Sequence, residues 1–105
     1  MGSWDAAAAR AGLHPQAMEV LAQRQLALLG SDGNNDTAPS FAEGVDFPVH
    51  VLAVRALGLP LLDYLALEDL AAACHATGRW TFLSVIAPLR LPTGTGSPVN
   101  PIVLF

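Results

Sequence analysis

Residues 47–65, FPVHVLAVRALGLPLLDYL, decide the fold. Asp46 with Pro48 reads as a helix start, because proline suits the first helical turn. Val49, Leu52, Ala53, Ala56 and Leu57 then recur at the spacing of one helix face. Gly58 ends that helix, and Leu59–Leu65 (LPLLDYL) reads as a short apolar strand carrying Asp63. Downstream, Leu67, Leu70, Ala71 and Cys74 make a second helical stripe, stopped by Gly78. Trp80–Ala87 (WTFLSVIA) is β-prone and apolar on both faces, the pattern of a central strand covered on two sides. Pro92–Pro101 is a loop rich in Gly and Pro, and Ile102–Phe105 is a last strand. Upstream, residues 31–46 (SDGNNDTAPSFAEGVD) are dominated by turn formers. Leu26–Leu29 reads as a buried strand. Pro15 opens a helix with Ala17, Met18, Leu21 and Ala22 on one face, and Ser3 caps an Ala-rich helix through Ala11. The alternation of helices and strands predicts an α/β domain, a small mixed sheet with helices packed on it.

Composition narrows what such a domain does. A chain of 105 residues holds one domain at most, here with 1–25 as an N-terminal helical segment. Hydrophobic residues make up 52% and charged residues only 13%, which excludes a disordered chain. There is no Lys, and mean hydropathy is +0.43. So little charge cannot coat a small surface, and a homo-oligomer is expected. Net charge is −4 with five scattered Arg, which argues against nucleic acid and against an anionic membrane surface. No apolar run reaches the roughly 20 residues of a membrane span. The N-terminus has no basic segment followed by a Leu/Val-rich stretch, so a cytoplasmic location is expected. The one cysteine, Cys74, forms no internal disulfide and reads as a buried thiol.

Few residues suggest chemistry. His50 and Asp63 are suitable zinc or manganese ligands. An Asp inside an apolar strand also needs a partner, since an unpaired buried charge is costly. The competing reading makes His50 a partly buried helix histidine, with Asp63 capping a turn or pairing with Arg55 or Arg90. Asp32, Asn34, Asn35 and Asp36 cluster like oxygen ligands, but their spacing lacks the distal Glu of a calcium loop. Asx turns and caps explain them more simply. The stretch GTGSPVN has no following Lys-Ser/Thr and leads into a strand, so it is no phosphate loop. Ser97 has no readable His or Asp partner, and its loop reads as structural. Cys74 and His75 are neighbours on a helix and point about 100° apart, so they are not a catalytic pair. Trp80 and Phe82 read as core, and Trp4 as a contact residue.

From residue 26 onward the order of pieces resembles the cyclase family of metal-dependent hydrolases, which includes bacterial kynurenine formamidases. The resemblance rests on LALLGSDGNNDTAPS, FPVHVLAVRALGLPLLDYL, LEDLAAACHATGRWTFLSVIAPLRL and TGTGSPVNPIVLF. The GTGSPVNPI tail after a strand ending in APL is its most specific element. About three-quarters of the chain is covered, corresponding to the C-terminal part of a family member. The resemblance implies that His50 and Asp63 sit at metal-ligand positions, with zinc or manganese as the metal. It implies that Asp32, Asn34 and Asn35 line a substrate pocket. The family's His-x-Gly-Thr-His-x-Asp motif is absent. The histidines are His14, His50 and His75, and His14 is followed by Gln16, Met18 and then Glu19. The expectation is therefore a truncated relative of a metal-dependent amide hydrolase that is not catalytic as this chain alone. The alternative is a non-catalytic oligomeric module that contacts a protein or a small-molecule ligand.

Overall fold

Two parallel strands need a crossover between them, and residues 48–57 supply it. In the computed structural model, which describes Asp5 and residues 8–105, β1 (Leu29–Gly30) pairs in parallel with β2 (Leu61–Leu62). The ladder runs past these short strands. Leu29 N–H donates to Pro60 O, Ser31 N–H to Leu62 O, Leu65 N–H to Ser31 O and Tyr64 N–H to Gly33 O. Residues 29–33 and 60–65 are thereby zipped side by side.

The crossover helix, α2, starts as an α-turn over Pro48–His50 and continues as a π-helix over Val51–Leu57. It ends at Gly58, which has φ +62, a left-handed conformation that a side chain would strain. The expected stripe survives only in part. Val49 and Ala53 are fully buried, whereas Leu52, Ala56 and Leu57 are exposed. The wider i→i+5 winding rotates the later residues off the face that α-helical spacing assigns them.

The chain divides into two compact units, Met1–Leu67 and Glu68–Phe105. In the first, α1 (Ala17–Gln23) packs on α2. Met18, Val49, Ala53 and Leu59 form the core, with Leu13, Leu21, Leu26, Leu29 and Leu61 partly buried around it. The expected helix Ser3–Ala11 falls partly outside the described residues, as does Trp4. Its described end is not helical, because Arg10 pairs with Ala38 and Leu13 with Asp36 as β-bridges. Gly12 sits between them. A Cβ there would lie 2.3 Å from the Asp36 backbone carbon and 2.6 Å from its oxygen, so only glycine allows this approach.

In the second unit, α3 (Glu68–Thr77) buries Cys74 and stops at Gly78, as expected. The strand expected over Trp80–Ala87 is shorter and is not central. Among the described residues, β3 (Leu83–Val85) pairs only with β4 (Ile102–Leu104), antiparallel, and all three β3 residues are exposed. Trp80 and Phe82 are exposed too, which corrects their reading as core. The result is a small mixed α/β protein with, among the described residues, two two-stranded sheets in place of one mixed sheet. Among the described residues, no helix is long and apolar enough to cross a membrane.

Gly12→Ala is expected to cost about 3 kcal/mol, because the backbone contact must open. Gly58→Ala, which meets open space and pays only backbone strain, is expected to cost about 1 kcal/mol. Urea unfolding of the two variants checks the order, and equal costs would show that residues 10–13 are not pinned to the loop.

Candidate functional site

A helix start leaves backbone N–H groups without partners, and a Ser, Thr, Asp or Asn side chain at the cap position usually takes one. In α2 that position is Phe47, which makes no such bond. The carboxylate of Asp36 takes the role from a distance. Its Oδ1 accepts the Val49 N–H at 2.6 Å and its Oδ2 accepts the His50 N–H at 3.0 Å. Asp36 is fully buried, so these bonds are made in place of water. A negative charge at this helix end is also favoured by the helix dipole.

The same carboxylate holds the His50 ring, with Oδ2 2.6 Å from Nδ1. On the other side of the ring, Nε2 lies 2.9 Å from Asp63 Oδ2. The second oxygen of Asp63 accepts both the Asn35 backbone N–H (2.9 Å) and its side-chain Nδ2 (2.6 Å). Asn35 Nδ2 also reaches Leu62 O at 3.4 Å. One imidazole thus bridges two carboxylates, one on the 31–46 loop and one just after β2. Both ring nitrogens donate together only in the imidazolium form; a neutral ring would need one carboxylate to carry the proton.

The loop that presents Asp36 is held from several directions. Asn34 Oδ1 accepts the Asp36 N–H at 2.9 Å, forming an Asx turn. Leu13 N–H donates to Asn35 O at 2.8 Å. Arg10 Nε donates to Asp36 O at 2.9 Å, and its guanidinium carbon stands 4.8 Å from the centre of the Phe47 ring. Phe47 in turn meets His50 edge-on at 5.9 Å.

The structure therefore brings His50 and Asp63 together, and the partner of Asp63 is neither Arg55 nor Arg90. Asp36, one of the loop residues expected to form Asx turns and helix caps, is the third member, and it does cap α2. Its signal was indirect, namely that Phe47, the residue at the cap position, has no side chain that can accept a hydrogen bond. Asn34 and Asn35 are committed to holding the loop and Asp63, and Asp32 is exposed. All three border a shallow depression of about 200 Å³, shared with Gly12, Leu13 and Ser31.

The chemistry open to this arrangement is narrow. A general base needs a ring nitrogen facing the proton it removes. Here Nε2 faces Asp63. Ser31 Oγ is spent on Gly33 O at 2.8 Å, so it is not a hydroxyl presented to the ring. A catalytic zinc takes three protein ligands plus a water. The described residues hold no group of three or more His, Cys, Asp or Glu arranged for a metal ion. His50 and Asp63 alone do not meet that requirement. No family model matches the chain, and comparison with curated proteins and with solved structures found no match.

Asp36→Asn is expected to destabilise the protein by about 3 kcal/mol, because an amide NH₂ must then face buried N–H donors. Asp63→Asn, whose side chain is 21% exposed, is expected to cost about 1 kcal/mol. Chemical denaturation orders the two, and a larger cost at Asp63 would contradict this account of the site.

Proposed function

We propose that this chain is a non-catalytic, self-associating module, related to the C-terminal part of the cyclase-family hydrolases. The observation that carries the reading is the complete internal use of the Asp36–His50–Asp63 trio. Both ring nitrogens and all four carboxylate oxygens have partners within the protein. Among the described residues, no buried polar side-chain atom lacks a partner. In this trio both ring nitrogens are engaged, so neither is turned to a substrate, and the trio serves as a polar tie between the 31–46 loop, α2 and β2. Self-association is supported by the low charge content and by many exposed large apolar side chains, such as Trp80, Leu83 and Val54.

A second reading is favoured by one observation. Asp36 fixes the ring through Nδ1 and turns Nε2 toward Asp63, the way a carboxylate orients a metal-binding histidine. In that reading His50 and Asp63 are two ligands of zinc or manganese, and other ligands come from outside the described residues. A small-molecule ligand would then approach past Asp32 and Asn34.

Calorimetric titration of zinc and of manganese into chelator-treated protein separates the two readings. The expected result is no saturable heat that depends on His50. Saturable binding lost in His50→Ala would overturn the non-catalytic reading and establish the second.

A further inference from the structure

The side chain of an aspartate can be attacked by the backbone nitrogen of the next residue, which closes a five-membered imide ring. The attack needs a carboxyl without partners, a following N–H without partners, and no side chain beside that nitrogen. Asp32 is the only Asp or Asn in the chain that precedes a glycine. It is exposed. Among the described residues, nothing donates to its carboxylate and nothing accepts from the Gly33 N–H. A Cβ built on Gly33 would meet nothing within 4 Å, so the nitrogen is open on that side.

The neighbouring candidates are all blocked. The nitrogen after Asn34 is the Asn35 N–H, which donates to Asp63 Oδ1 at 2.9 Å. The nitrogen after Asn35 is the Asp36 N–H, which donates to Asn34 Oδ1 at 2.9 Å. The carboxylate of Asp36 is spent on α2 and His50. The nitrogen after Asp63 is the Tyr64 N–H, which donates to Gly33 O at 3.0 Å. Asn100 precedes Pro101, which has no N–H.

The position also matters. Ser31 is pinned on one side, with its N–H on Leu62 O and its carbonyl taking the Leu65 N–H. Gly33 is pinned on the other, its carbonyl accepting the Tyr64 N–H and the Ser31 hydroxyl. Asp32 is the link between these two anchors. A longer link cannot keep both in register with residues 62–65.

We propose that Asp32–Gly33 is a self-modification site, where aspartate converts to isoaspartate and unfastens the 31–36 turn from residues 62–65. Gly33 N bonds to Asp32 Cγ, and its proton leaves with the carboxyl hydroxyl as water. Water from solvent then reopens the ring. Opening at Cγ restores aspartate. Opening at the Asp32 backbone carbonyl carbon leaves Gly33 N joined to Cγ, and that carbonyl carbon becomes the free carboxylate. The backbone has then gained one carbon between the two anchors. Nothing is oxidised or reduced, and mass and charge end as they began.

Prolonged incubation of the full chain at physiological temperature, followed by proteolytic peptide mapping, tests the site. The expected result is a second peptide spanning Asp32, equal in mass and different in retention, that accumulates faster than any such change at another Asp or Asn. Gly33→Ala, which adds a side chain into open space at a residue without positive φ, is expected to slow the conversion roughly fivefold or more. No product at Asp32, faster conversion elsewhere, or an unchanged rate in Gly33→Ala overturns the assignment. Urea unfolding tests the consequence. The isoaspartyl fraction is expected to unfold at lower urea than the fresh chain. Aged Asp32→Glu, whose longer side chain disfavours the ring, is expected to keep its midpoint. An isoaspartyl fraction as stable as the fresh chain, or an equal loss in aged Asp32→Glu, overturns the release of the turn.

Discussion

The buried carboxylate of Asp36 is the constraint on which the first unit depends. It lies 13 residues before Val49, yet it supplies the helix cap that Phe47 cannot. An ionised carboxylate without water around it must be fully hydrogen-bonded or it destabilises the fold by several kcal/mol. Asp36 meets that demand with two backbone N–H groups and one imidazole nitrogen. Satisfying it fixes where α2 begins, how the His50 ring is turned and how the 31–46 loop folds back. The approach of residues 10–13, possible only because residue 12 is glycine, then closes the loop from outside. His50 extends the tie to Asp63, and so links the cap of the crossover helix to the end of the strand that follows it.

Much of this was legible in the sequence, and the misses have physical causes. Pro48, Gly58 and Gly78 mark helix boundaries through backbone geometry, a local property, and those boundaries hold. Val49 and Ala53 were readable as core. Leu52 and Leu57 were not readable as exposed, because spacing arguments assume 3.6 residues per turn and α2 winds wider. His50 and Asp63 were recognisable as a pair worth watching. Asp36 was not, since its role depends on a contact spanning 14 residues that no local pattern records. Ser97 behaves as its loop suggested, accepting the Leu89 N–H and donating to Pro98 O.

Trp80–Ala87 shows the opposite kind of failure. A strand apolar on both faces reads as central, because burial is the usual reason for such a pattern. Here β3 has one neighbour among the described residues and stays open. Apolar side chains say that a surface seeks cover; they do not say that the same chain provides it. The scarcity of charge carries the same message at the level of composition. The two compact units therefore solve different problems. The first satisfies buried polar groups internally, and the second leaves an aliphatic face exposed.

A double-mutant cycle between Asp36 and His50, read by urea unfolding of chelator-treated protein, tests the central claim most directly. Asp36→Asn, His50→Gln and the double variant complete the cycle. An internal polar tie predicts that the single losses do not add, with a coupling of about 1.5 kcal/mol or more. Costs that add to within about 0.5 kcal/mol would show that Asp36 and His50 act independently, and the account of the site would fail.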